Sequence, residues 1–131
     1  MRSEGRRFCQ LAAVSLALAT ILSAIGAHAL KHQLIPDRYE ILQTALHFQF
    51  VQSLGLLGVG LLYDRVPVKA LHVAAWLLIA GIALFSGSLY LMLVGAPRWV
   101  GVLTPLGGLS LILAWCLTAI ALRRRSTGAL S

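Results

Sequence analysis

The stretch ALHVAAWLLIAGIALFSGSLYLMLV, residues 70–94, holds no Asp, Glu, Lys or Arg in 25 positions. At 1.5 Å per residue a helix of that length crosses a hydrocarbon core of about 30 Å. The stretch therefore reads as a transmembrane helix. Its second half places Ser86, Gly87, Ser88 and Tyr90 within five positions. Lipid offers such groups no hydrogen-bond partners, so they point to contacts with neighbouring helices.

Three more apolar runs surround it, at residues 8–30, 41–63 and 100–122. The links between them are short and carry the turn-forming and charged residues: Pro36 and Asp37, then Asp64, Arg65 and Pro67, then Gly95, Pro97 and Arg98. The chain of 131 residues is 59% hydrophobic and 11% charged. An average soluble domain has about 25% charged residues, so a soluble fold is excluded. The expectation is an all-α integral membrane bundle of four antiparallel transmembrane helices in a single domain, 1–131.

The net charge of +7 lies at the ends of the runs, where it sets topology and meets lipid headgroups; a nucleic-acid partner is not expected. Arg2, Arg6, Arg7, Arg65, Lys69, Arg123, Arg124 and Arg125 fall on the side of the termini, against Lys31, Arg38 and Arg98 on the other. This excess predicts that both termini are cytoplasmic. Ala27-His28-Ala29 imitates a signal-peptide cleavage site, but the first run is longer than the usual 7–15-residue apolar core, and we expect it to be retained.

Depth counted from the outer ends of the runs brings out a polar layer. Ser23 is seven residues in from Leu30, and His47 and Gln49 are six and eight in from Ile41. Ser86 and Gly87 are eight and seven in from Val94, and Gly107 and Gly108 are seven and eight in from Val100. The layer is thus expected roughly 10–12 Å below the outer surface. It reads in two ways. Small residues let helix backbones approach, and Gln and Ser bond across interfaces, which makes it a packing device. The other reading is a pocket opening outward, for a lipid, a quinone or a small polar solute. Gln49, Gln52 and Ser53 share a face of the second run, which predicts contact with the third helix, while His47 points away. We expect Gly87 to pack on Gly107 or Gly108, and Ser86 or Ser88 to bond to Gln49 or Gln52. Ser15, Ala19, Ser23 and Ala27 form a small-residue stripe on the first helix. Trp76 and Trp115 are expected at similar depth in the inner half, within reach of each other.

Thr104-Pro105 marks either a kink in the fourth helix or its true start, with residues 100–103 at the interface. His28 and His32 sit at the membrane edge and His72 at the inner interface, so no ligand set for metal or haem is expected. Cys9 and Cys116 lie at opposite ends of the chain, outside any Cys/His cluster.

Four motifs, Gly26-Ala27-His28-Ala29-Leu30-Lys31, Gln43-Thr44-Ala45, Phe85-Ser86-Gly87-Ser88-Leu89-Tyr90 and Thr104-Pro105-Leu106-Gly107-Gly108, resemble in order and wording the domain of unknown function 423 family. That resemblance spans roughly residues 20–125. It implies a small four-helix membrane protein of bacteria, placed in the inner (plasma) membrane, and brings no established activity. The chain departs from the family at Gln52, where the family usually carries His three residues after an aromatic-Gln pair.

No nucleophile is visible beside a positioning base, so an enzyme is not expected, nor any cofactor. Glu4, Asp37, Glu40 and Asp64 all lie outside the hydrocarbon, which argues against proton-coupled transport through a carboxylate. The expected role is that of a non-enzymatic accessory or assembly subunit of a larger inner-membrane complex, with lipids and other membrane subunits as partners. The alternative is a protein that binds or transports a small solute, lipid or quinone through the polar layer, its residues being Ser23, His28, Gln49, Gln52, Ser86, Gly87, Ser88, Thr104, Gly107 and Gly108.

Overall fold

Four helices run antiparallel in chain order in the computed structural model: α1 (Ser3–Ile25), α2 (Pro36–Arg65), α3 (Lys69–Leu93) and α4 (Leu103–Leu130). It describes residues 1–30 and 32–130, with side chains for 1–29 and 32–123. Lys31 and the side chains of Arg124 and Arg125, counted above for orientation, lie outside the described residues. Each helix is long and apolar enough to cross a membrane.

The helices overrun the apolar runs at several ends. α1 starts five residues before Phe8, because Glu4 in its first turn suits the helix dipole and Arg2 N–H donates to Asp64 Oδ1 at 2.6 Å. Its C-terminal end widens into a π-helical turn, Gly26–Leu30, rather than continuing as α-helix. α2 starts at Pro36, which occupies a first-turn position where no N–H is needed. α3 ends at Leu93, and the turn after it needs Gly95, whose φ of +97° suits only glycine. There Ala96 N–H bonds to Leu91 O at 3.0 Å, closing the helix end in a Schellman-type turn. Residues Arg98–Val102 form a 3₁₀ turn and α4 proper begins at Leu103. Of the two readings of Thr104-Pro105, the second therefore holds: Pro105 lies in the first turn of a helix, not at a kink.

α2 and α3 form the central pair. α1 lies on one side, where Phe8 meets His72 and Trp76 of α3 as well as Tyr63 of α2, with ring centroids 5.6, 5.7 and 5.9 Å apart. α4 lies on the other side, against α3 along its length and against α2 through Trp115. The main core of Phe8, Leu56, Leu71, Leu78 and Leu111 runs through the inner half. Close approach relies on glycine at two interfaces. Between α1 and α2, a Cβ on Gly60 would lie 3.1 Å from Phe8 Cβ and 3.3 Å from Cys9 N. Between α3 and α4, a Cβ on Gly81 would meet Leu111 Cγ at 2.6 Å and Gly107 O at 3.0 Å.

Gly81 therefore takes the place expected for Gly87, around which there is open space: a Cβ there would meet nothing within 4 Å. Gly108 is nearly as free, its nearest neighbour being Phe85 Cδ2 at 3.9 Å. The pairing of Gly107 with Phe85 and of Gly81 with Leu111 sets Trp76 and Trp115 within about one residue of the same level. Their rings do not meet. Trp76 turns to Phe8 and His72, and Trp115 to Gln52.

Candidate functional site

The polar side chains are spread as a ladder through the bundle rather than in one outer layer. Its centre is Gln49, 6% exposed, on the face of α2 between α1 and α3. Gln49 Nε2 donates to Ser15 O at 2.9 Å, and Ser15 Oγ lies 2.6 Å from Ser53 Oγ. On the other side Tyr90 Oη donates to Gln49 Oε1 at 2.5 Å. One amide thus joins three helices. Ser15 and Ser53 stand near the middles of α1 and α2, so this rung lies near mid-membrane, deeper than the expected layer.

Further rungs tie the remaining pairs. Ser86 Oγ donates to Ala45 O at 2.9 Å, joining α3 to α2. Ser88 Oγ gives its proton to Phe85 O at 2.9 Å, so the hydroxyl of Thr104 on α4 donates to Ser88. Ser110 Oγ donates to Leu77 O at 2.7 Å, and Trp115 Nε1 to Gln52 Oε1 at 2.8 Å. Among the described residues every buried side-chain nitrogen and oxygen has a hydrogen-bond partner.

The expected residues divide accordingly. Gln49, Gln52, Ser86, Ser88 and Thr104 all bond across helix interfaces, and Gly107 gives α3 and α4 their closest approach. The partners differ from those expected. Ser86 reaches a backbone carbonyl instead of a Gln side chain, and Gln52 faces α4 rather than α3. Gln49 and Gln52, three residues apart, are rotated by about 60° from each other, enough to divide them between two interfaces. Ser23 makes no hydrogen bond to a described residue, and Ser15 two turns deeper does its work; the small-residue stripe was the signal. His28 is exposed on the π-helical turn, and Gly87 and Gly108 stand clear of backbone contact. Ser110 escaped notice, although it shares the face of Gly107 three residues away.

Two other features border the ladder. A groove of about 150 Å³ between α1, α2 and α3 is lined by Leu11, Leu56, Ile79, Ile82 and Ala83, with Ser15 at its edge. At the end of the bundle that holds the start of α1, Glu4 accepts from Tyr63 Oη at 2.9 Å and lies 3.2 Å from His72 Nε2. No group of three His, Cys, Asp or Glu among the described residues is placed to hold a metal ion.

Four apolar spanning helices, cross-linked inside by hydroxyl and amide side chains, define a polytopic membrane protein. The family model described as "Protein of unknown function (DUF423)" matches residues 22–108, and the chain belongs to that family. It is 39% identical over 116 residues to the UPF0382 membrane protein YwdK of Bacillus subtilis, covering 87% of this chain and 94% of that one. It is 36% identical over 114 residues to a UPF0382 membrane protein of Staphylococcus epidermidis, covering 87% and 93%. The UPF0382 inner membrane protein YgdD of Escherichia coli K12 is 32% identical over 117 residues, covering 87% and 89%. No solved structure matches.

Proposed function

We propose that this chain is a non-catalytic protein of the bacterial inner membrane, with both termini cytoplasmic, that serves as an accessory or assembly subunit of a larger membrane complex. One observation carries the reading: the buried polar groups of the described residues are already hydrogen-bonded inside the bundle, all but Thr118 between helices. Gln49, Ser53, Ser86, Ser88 and Thr118 are the buried polar residues, and each is bonded within the bundle. A catalyst needs a nucleophile or acid left free beside a base, and a transporter needs polar groups free to exchange partners. What such a rigid bundle offers to other molecules is its outer surface. The E. coli relative, named as an inner membrane protein, supports that location. The orientation rests on Arg2, Arg6, Arg7, Arg65, Lys69 and Arg123 against Arg38 and Arg98.

The groove beside Ser15 favours a second reading, a protein that holds a lipid chain or quinone ring. Its walls are apolar and its one hydroxyl is already bonded to Ser53. Purification from native membranes in mild detergent separates the two, with mass spectrometry of what is retained. A stoichiometric protein partner supports the subunit reading, and a retained lipid or quinone the second. A bare chain, recovered intact and free of both, contradicts the two together.

A further inference from the structure

The outward face of α2 carries polar side chains where lipid would cover them. Thr44, His47, Val51, Leu54, Gly58 and Leu61 are all exposed, and they recur in steps of three and four residues. Gln43 is exposed beside Thr44. None of Gln43, Thr44 and His47 hydrogen-bonds to any described residue; the one ring near His47 is that of the adjoining Phe48. His47 lies about 5 Å from the middle of α2, and Gln43 and Thr44 about 10 Å, all within a hydrocarbon core of about 30 Å. Gln43 and Thr44 stand about one turn from Glu40 and the interface, whereas His47 lies two turns from Glu40, at a depth where hydrocarbon cannot satisfy its imidazole. Polar groups so placed mark a protein contact.

The chemistry of the face says which protein. Two copies inserted in the same orientation pair about a two-fold axis along the membrane normal, and a residue at the axis meets itself. Only groups that both donate and accept can pair with their own copy. An amide, a hydroxyl and a neutral imidazole all do. Within the hydrocarbon the face has no formal charge to repel its copy. Glu40 and Arg65 lie at the two ends of α2, where water and salt screen them. Gly58 in the inner half leaves room, since a Cβ there would meet nothing within 4 Å. Glycine on such a face lets two backbones approach. Alternating steps of three and four residues suit two helices crossing at about 20° in a left-handed pair.

We propose that α2 pairs with α2 of a second copy, forming a parallel homodimer with His47 and Thr44 hydrogen-bonding across its axis. This goes beyond the subunit reading and does not depend on it, because it rests on the exterior of the bundle rather than the interior.

The test is disulfide mapping in native membranes, on full-length protein carrying Cys9→Ala and Cys116→Ala. Single cysteines are placed at His47, Val51, Leu54 and Gly58, with Val14 on α1 and Ile112 on α4 as exposed controls. The expected result is a band of twice the monomer mass under mild oxidation, at least tenfold stronger for the α2 positions than for the controls. Equal yields at the controls, no band at the α2 positions, or a band with a different protein overturns the proposal. In a Förster-transfer dilution assay in liposomes, Gly58→Leu should weaken association at least tenfold. Unchanged association in that variant also counts against it.

Discussion

Gly107 rests directly on the backbone of Phe85: a methyl group at Gly107 would lie 2.9 Å from Phe85 Cα and 3.0 Å from Gly81 O. Backbone on both sides cannot yield as a side chain can. Gly107→Ala must therefore push α3 and α4 apart, at about 1–3 kcal/mol, the usual range for overpacking. Gly87→Ala, made where there is open space, should leave stability within about 0.5 kcal/mol. Thermal denaturation of both variants in detergent checks this, and equal melting temperatures would show that the interface is not set at Gly107.

Gln49 and Tyr90 should be energetically coupled. Removing either leaves the other with a polar atom facing an apolar interface. Interhelical hydrogen bonds of this kind average about 0.6 kcal/mol and reach about 1.7. The double-mutant cycle of Gln49→Leu and Tyr90→Phe is expected towards the upper end, because the amide also holds Ser15. Additive effects, with no coupling beyond error, would mean that the bond does not persist in the folded protein.

Trp115 reports on the contact between α4 and α2. A Cβ on Gly55 would lie 2.6 Å from Trp115 Cη2, and the ring, 38% exposed, has lipid to move into. Gly55→Ala should swing the indole out and break its bond to Gln52 at a cost of about 1 kcal/mol or less. In a background of Trp76→Phe and Trp99→Phe, the emission of Trp115 is expected to shift to shorter wavelength as the N–H loses its partner. An unchanged spectrum would show that the ring already lies elsewhere.

Both termini are expected on the cytoplasmic side. Alkaline phosphatase fused after Ser131 should be inactive, since it folds only outside the cytoplasm. Fusion at Gln33, in the first outer loop, should be active. The reverse pattern would invert the assignment.

The helices were legible because hydrocarbon imposes its demands residue by residue. Residues 70–94 had to form one helix, since a backbone in lipid must satisfy its own polar groups. Thr104-Pro105 offered two starts for α4, and the 3₁₀ turn at Arg98–Val102 selects between them. Rotation was harder to read. A helix apolar on every side has no marked inward face, so nothing in α3 told Gly81 from Gly87, and only one of them touches α4. The polar ladder was half legible for the same reason. Gln49 could be placed on a helix face, but its reach to Ser15 depends on how α1 is turned. Depth misled as well, because the runs and the helices do not share their ends: α2 extends from Pro36 to Arg65, beyond the run at 41–63 on both sides.

The anchoring of α1 at its inner end has a consequence for the order of events in the cell. Arg2 holds Asp64, 62 residues further along, and Glu4 holds Tyr63 and His72. During synthesis α1 therefore lacks its anchor until α2 has crossed the bilayer and α3 has begun. Until then the Arg2–Glu4 end of α1 is charged and unlatched, and it is translation of the α2–α3 turn that fastens it.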